Sequence, residues 1–468
     1  MGFYEKIYNN SPVLLQNMLI SSYGYQWKQR RFGGVFPAAY KAAKERESFI
    51  RQQWTDYQNK ALQQLLLHAS EHVPFYKESF RQSGIGFQQL KDFTINDLHC
   101  LPILRKEDVR LYGTNTLLSH AREKNGQFFS SSGSTGTPVQ ILLSHAAHQR
   151  WFAIYEARVR NWAGVSSFIP RGMIGGRRII AGAANRPPFY RYNFFEKQVY
   201  FSAYHINKQN ALNYLEGIKK YGVAYMTGYA VSNYLLAQLF KEMNINAPQL
   251  KAVVTSSEKL TPQMRQTFLE VYGCKTFDGW GSVESCGLVT ECEMGSLHIS
   301  GDAGIIELLD EQLQPVQPGE EGNVYCTGLL NYDQPLIRYK IGDAMVAAEE
   351  ACACGRQMPV VKEIAGRTED VIVGRDGRKM VRFHSVFAGL QTVKQAQVIQ
   401  ESLNDIVVKV VPAGKLNNEE KTLIEKRIVS QLGEVNVMVE EVNNILFGAN
   451  GKFKAVVSKL DLKMNKAV

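Results

Sequence analysis

Two groups of side chains in this sequence are spaced so that they could do chemistry. The first is 130-SSSGSTGTPVQI-141, where serine and threonine hydroxyls surround Gly133 and Gly136. Such a loop offers many hydrogen-bond donors and little bulk, which suits it to wrap a polyphosphate; a plain flexible turn explains it equally well. A G-x-x-x-x-G-K-[ST] phosphate loop is excluded, because Thr137 and Pro138 follow Gly136 and the stretch contains no lysine. The second group is Cys292 and His298 in 291-ECEMGSLH-298 with Cys352 and Cys354 in 351-ACACGR-356. Three thiols and an imidazole are a tetrahedral zinc set, and a closed set of four would be structural. Buried free thiols are the alternative. Cys286 could replace one ligand, and Cys326 falls in an apolar run that reads as the core of a strand.

Four later stretches keep the glycine-rich loop company, and their order is what gives it meaning. They are 255-TSSE-258, 278-DGWGSVES-285, 336-LIRYKIGD-343 and 366-GRTEDVIVG-374, with 450-NGKFK-454 near the end. In this order they resemble the nucleotide-site motifs of the adenylate-forming enzymes, in particular the phenylacetate-CoA ligase branch and its CapK-type members of capsular polysaccharide biosynthesis. The resemblance covers essentially the whole chain. It implies that Ser131, Ser132, Gly133, Ser134, Thr135, Gly136 and Thr137 hold the β- and γ-phosphates of ATP. Ser256, Ser257 and Glu258 would lie against the adenine, although a hydroxyl followed by a glutamate is also an ordinary helix N-cap. Asp278, Trp280, Gly281 and Ser282 belong to an aromatic-Gly-x-x-Glu motif in which Trp280 stands where tyrosine is usual. Glu284 would ligate Mg²⁺, a hard ion for which one carboxylate plus waters and phosphate oxygens suffices. Asp343 would take the ribose hydroxyls and Arg367 would approach the nucleotide, while Arg338 reads as structural. The pivot falls at Glu369 and Asp370, with Val373 where a lysine is usual. Lys452 takes the place of the catalytic lysine, with Lys454 as its rival.

These residues need a scaffold, and the pattern supplies an α/β one. The first 110 residues read as mostly helical: 48-SFIRQQWTDYQNKALQQLLLHASEHV-73 repeats apolar residues at helical spacing, and Pro74 stops it. Strand-like runs then alternate with helical ones, such as 251-KAVVTSSEKL-260 before 262-PQMRQTFLEVYG-273. From 297 to 366 the texture is β-rich, with PGEEG marking a reversal between two strands. After it come short strands and the helical stretch 417-NNEEKTLIEKRIVSQLG-433. The pattern gives a large body over 1–366, with mixed α/β sheets and a β-rich part, and a small α+β domain over 367–468; the resemblance implies that these are an adenylation domain and a mobile lid.

Composition bounds the function. At 468 residues, 45% apolar and 21% charged, the chain has the make-up of a globular protein of more than one domain. No run approaches the length of a membrane span, and the first residues lack the apolar core of a signal peptide, so a cytoplasmic location is expected. Seven scattered cysteines fit that expectation. The net charge of +10 is spread out, which favours anionic small molecules over nucleic acid and allows at most peripheral contact with anionic lipid along 27–52. The resemblance implies activation of a carboxylic acid by ATP and Mg²⁺, with CoA, a carrier thiol or an amino-sugar as acceptor. A catabolic aryl-acid CoA ligase and a non-catalytic nucleotide-binding protein are the alternatives. Tyr229 is a pocket wall by position, and Arg171, Arg177 and Arg178 are either a second anchor for the substrate or a helix cover. The acid, the acceptor and the oligomeric state stay open.

Overall fold

Most of residues 8–82 form helices, and the one over 51–72 buries apolar side chains spaced three and four residues apart. The structure, a computed structural model, describes the chain apart from residues 1–7, 131–138, 176, 178, 181–185, 204, 258–259, 368–371, 376–378, 381–383, 388–389, 391, 413, 444, 446–455 and 461–468. Helix α1 covers Val13–Phe32 and α2 covers Arg51–His72. Leu62, Leu65, Leu66 and Ala69 on α2 are fully buried, each leucine stabilising the fold by about 1.5–3 kcal/mol. Pro74 does end α2, but it also opens α3 (Pro74–Gln82), because a proline at the first helical position gives up only an amide that would have no intrahelical partner.

Strands β1 (Gln127–Ser130) and β2 (Gln140–Leu143) form a separate antiparallel hairpin closed by the pairing of Ser130 with Gln140. The polyphosphate-loop candidate 131–137 lies between them, outside the described residues. The hairpin is anchored from behind. Arg30 of α1 donates to the Leu143 carbonyl at 2.7 Å, and Phe129 packs against Trp27 and against His148 of α4 (His145–Tyr155).

The alternation of strands and helices builds the main sheet. Its parallel part comprises β3 (Arg171–Gly175), β5 (Gln198–Ser202), β6 (Tyr225–Tyr229), β7 (Ala252–Ser256) and β8 (Thr276–Gly281), with β4 (Tyr190–Asn193) antiparallel at the edge. Helices α5 (Ala211–Lys220), α6 (Ala230–Glu242) and α7 (Pro262–Tyr272) make the crossovers, α7 over the expected stretch with Thr261 as its N-cap. The β-rich continuation comprises β9 (Leu288–Glu291), β10 (Leu297–Ile299), β11 (Gly304–Leu309), β12 (Glu321–Gly328), β13 (Tyr339–Ala347) and β14 (Val360–Arg367). Together they give a twelve-stranded order β11-β12-β13-β14-β10-β9-β8-β7-β6-β3-β5-β4. The reversal between β11 and β12 falls at 310–314, ahead of the expected PGEEG, because Leu309 already bridges Pro315; PGEEG, with Gly319 at φ +86°, makes a further turn before β12. Beyond β14, β15 (Ile372–Val373) pairs with β16 (Lys379–Met380), and β17 (Val393–Gln400), β18 (Asp405–Pro412), β19 (Asn436–Glu441) and β20 (Val456–Ser458) form a four-stranded sheet of order β19-β18-β17-β20. Helix α8 (Asn418–Leu432), capped by Asn417, buries Ile424, Ile428 and Leu432 in the core shared with that sheet.

His148 packs among Trp27, Phe129 and Phe152 with its Nδ1 unpaired among the described residues. Burial, aided by Arg31 and Arg30, pushes its imidazole down to about 3. The folded protein therefore refuses a proton that the unfolded chain accepts near its ordinary value of about 6.5. The stability this gives is complete above that value and is lost as the pH falls towards the folded one. Between about pH 7.5 and pH 5 the loss amounts to about 2 kcal/mol. Urea titrations should show it, and His148→Gln should flatten that part of the pH profile.

Candidate active site and metal cluster

Parallel strands leave their binding crevice outside their C-terminal ends, where helices begin and amide groups point outward. Here β6, β7 and β8 end together: Tyr229 pairs with Ser256, and Ser256 pairs with Gly279. Gly228, at φ +117°, lets β6 approach β3 closely, since a Cβ there would sit 2.0 Å from the Ile174 carbonyl oxygen. Ser257 follows β7 at φ +75° and Ser285 follows Glu284 at φ +51°, so two non-glycine residues hold left-handed backbone at this edge.

The carboxylates sit just past β8 and on β13. The Trp280 indole N–H donates to Asp343 Oδ2 at 2.8 Å, and both side chains are buried. Glu284 is 4% exposed, with the Tyr339 hydroxyl 3.5 Å from its Oε1. Arg367 lies opposite Asp343 in the β13–β14 register. Asp278 pairs with Thr255, and its amide donates to Glu291 Oε2 at 2.7 Å. Arg265 holds the same carboxylate through two bonds, at 3.0 and 2.8 Å. The Ser282 hydroxyl is buried with no partner among the described residues.

The structure thus brings together Ser256, Ser257, Asp278, Trp280, Gly281, Ser282, Glu284, Asp343 and the backbone of Arg367. Residues 131–137, Glu258, the pivot at Glu369 and Asp370, Lys452 and Lys454 lie outside the described residues. Arg338 is structural, as expected, paired with Glu307 at 3.0 Å. Arg171 is not a substrate anchor: it is buried and donates to the Gln198 side chain and to the Ser167 and Glu196 carbonyls. Arg177 reaches the Tyr200 hydroxyl at 3.5 Å, and Arg178 is outside the described residues. Tyr339 and Glu291 escaped the sequence reading. Tyr339 lay inside the Asp343 motif, and Glu291 was visible only as a neighbour of Cys292.

The cysteine and histidine set also assembles. Single donor atoms of Cys292, His298, Cys352 and Cys354 all lie within 4.8 Å of one another. The Cys292 and Cys352 sulfurs are 3.6 Å apart, and Cys354 Sγ is 3.4 Å from His298 Nε2. A tetrahedral ion with metal–sulfur bonds of about 2.3 Å separates its ligands by about 3.5–3.8 Å, so the group has the dimensions of a metal cage. The Met294 and Cys354 amides donate to the Cys292 and Cys352 sulfurs at 3.4 and 3.3 Å, as suits thiolates. Cys286 is not the substitute ligand it could have been, since it is buried against Cys326 of β12. Around the cluster, Arg356 lies over the Trp162 ring at 4.4 Å and pairs with Glu293. The wholly buried Arg158 pairs with Glu47 and Asp302 at 3.0 and 3.2 Å.

The chain is 24% identical to protein CapK of Staphylococcus aureus over 97% of its own length and 99% of that protein's. It is 26% identical to the phenylacetate-coenzyme A ligase of Thermus thermophilus over 71% and 74% of the two chains. The CapK C-terminal domain family matches residues 372–459. The chain is a homologue of CapK and of the phenylacetate-coenzyme A ligases. Among solved structures, 2-hydroxyisobutyryl-CoA ligase in its post-adenylation state superposes with a TM-score of 0.57 at 19% identity, covering 89% of this chain and 92% of that one. The CapK homologue therefore has the fold of the adenylate-forming CoA ligases, with a mixed α/β body and a C-terminal CapK domain.

The Trp280–Asp343 bond can be tested by itself. Trp280→Phe keeps an aromatic ring and removes the donor, so the bond to Asp343 Oδ2 is lost. It should cost about 1–3 kcal/mol, read as a lower thermal midpoint.

Proposed function

We propose that this CapK homologue is an AMP-forming acid ligase. The observation that carries the proposal is the joining of Glu284, Trp280 and Asp343 at one sheet edge, in the crevice where an α/β sheet binds its ligand. One oxygen of the acid attacks the α-phosphorus of ATP, the bond to the β-phosphate oxygen breaks, and pyrophosphate leaves with that electron pair. The product is an acyl-adenylate, whose AMP is displaced when the acceptor takes the acyl group. No protein nucleophile is needed, so the work of the site is positioning and charge stabilisation.

Asp343, oriented by Trp280, accepts the ribose hydroxyls, with Arg367 beside the nucleotide. Ser256, Ser257 and Glu258 face the base. The loop 131–137, carried on the β1–β2 hairpin, donates to the outer phosphates. Glu284, buried just past β8, would hold Mg²⁺, which when bound would neutralise phosphate charge. Lys452 brings its ammonium to the substrate carboxylate and α-phosphate. Residues 1–366 then act as the body and 367–468 as a lid that withdraws Lys452 after adenylation. The cysteine–histidine cage fits structural Zn²⁺ and ties the β9–β10 hairpin to the loop before β14.

Likeness to CapK along nearly the full chain, against about seven-tenths for the phenylacetate ligases, favours a role in cell-surface polysaccharide synthesis over catabolism. The acceptor is then CoA, a carrier thiol or an amino-sugar.

ATP–pyrophosphate exchange against aryl, hydroxy, fatty and amino acids tests the reaction. One acid should support exchange, and Lys452→Ala and Glu284→Gln should each lower it by about 100-fold or more with the fold intact. Lys454→Ala should not. Exchange with no acid, in protein that binds ATP, would favour the non-catalytic reading. Separately, elemental analysis should find about one zinc per chain, lost with a lowered thermal midpoint in Cys352→Ser/Cys354→Ser.

A further inference from the structure

The face of α1 turned away from the body carries Leu14, Leu15, Met18, Leu19, Tyr23 and Tyr25, all exposed. Leu14 is 68% exposed and Met18 57%, high values for apolar side chains on a folded domain. The positions between them on that face are Ser22, Gln26 and Gln29, so the face bears no charge, and α1 as a whole contains no acidic residue. Helix propensity does not require this, and the buried residues of α1 are Gln16, Gly24 and Arg30, the last reaching the Leu143 carbonyl.

A second element extends the patch. The β4–β5 hairpin tip presents Phe194 and Phe195, the former 67% exposed, beside Phe168. Phe195 packs on Tyr25 of α1 at 5.0 Å, so helix and tip form one surface. Between them lies a groove of about 640 Å³, walled by Leu14, Met18 and Tyr25 on one side and by Tyr192, Phe195 and Tyr221 on the other.

The exposed charges around the patch are mostly positive. A smaller hollow of about 110 Å³ at its foot is lined by Lys28, Lys197, Phe32, Phe168 and Phe195. Lys219 and Lys220 stand exposed beside Tyr221 on the far rim. Glu196, the acid in the hairpin, is buried and neutralised by Arg31 at 2.9 Å. Glu216, exposed at the margin, accepts the Tyr190 hydroxyl at 3.0 Å.

We propose that α1 and the Phe194–Phe195 hairpin tip form a docking surface for an anionic lipid bilayer. Apolar and aromatic side chains would enter the acyl boundary, with Lys28 and Lys197 against lipid phosphates. An amphipathic helix lying in the interface with aromatic anchors and flanking lysines is the arrangement by which a peripheral protein holds a membrane. No helix of the described residues is long and apolar enough to cross one, which agrees with a helix that lies on the surface. A second copy of the chain would place the same lysines against each other across a two-fold axis, so charge favours the lipid.

Flotation of the full-length protein with phosphatidylcholine vesicles, with and without about 30 mol% phosphatidylglycerol, tests the proposal. Binding should require the anionic lipid and weaken with salt. It should fall at least about tenfold in Phe194→Ser/Phe195→Ser and in Lys28→Glu/Lys197→Glu. Leu14→Gln/Met18→Gln, changed only at exposed positions, guards against a hairpin variant that fails to fold. Absence of binding to anionic vesicles, or equal binding by well-folded variants, would overturn the proposal. So would a wild-type dimer, seen by sedimentation, that the phenylalanine variant breaks without any vesicle binding, because the face would then belong to a second copy.

Discussion

The hydrogen bond from the Trp280 indole to Asp343 spans the seam between the two halves of the main sheet. Trp280 ends β8 of the parallel half, and Asp343 lies on β13, with β9, β10 and β14 intervening in the order of strands. Backbone pairing already joins these strands into one sheet, and the side-chain bond adds a direct tie between the residues assigned to the base and those assigned to the ribose. Binding energy spent on a nucleotide is useful to a transferase only when both groups hold still. The cysteine–histidine group fastens the same seam from its other side, joining β9 and β10 to the loop that leads into β14.

Behind that group the buried charges repeat the theme. Arg158, in the π-helical turn Glu156–Arg160 after α4, meets Asp302 and Glu47, and Arg46 shares Asp302 at 2.9 Å. An isolated charge in such a place would be costly, and breaking a buried pair typically costs about 3–5 kcal/mol. The network therefore ties the N-terminal helices to the strand connection at 300–303. The early helices thus position the site from a distance, as α1 and α4 do for the hairpin that carries residues 131–137.

Much of this was legible in the sequence, and the boundary of legibility has a physical cause. Strand and helix identity at 251–273 follows from local periodicity, and the carboxylates Glu284 and Asp343 stand in ordered motifs. The cysteine–histidine set was also visible, because thiols and imidazole have few other uses at such spacing. Pairings across long separations were not. That Trp280 would spend its donor on a residue 63 positions away, or that Arg171 would be consumed by buried carbonyls, depends on tertiary register that no window of sequence contains. Pro74 was legible as the end of one helix but not as the start of the next, which only the following residues decide. The unpaired apolar face of α1 was hidden too, because exposed leucines read in sequence as an ordinary core stripe.

In the proposed reaction a carboxylate oxygen of the substrate becomes bonded to the α-phosphorus. The most direct measurement supplies the acid labelled with ¹⁸O in its carboxylate and follows the label by mass spectrometry after turnover with unlabelled ATP. An adenylating enzyme predicts that label appears in AMP, together with pyrophosphate. Label in inorganic phosphate alongside ADP, or in no nucleotide product at all, would contradict the account.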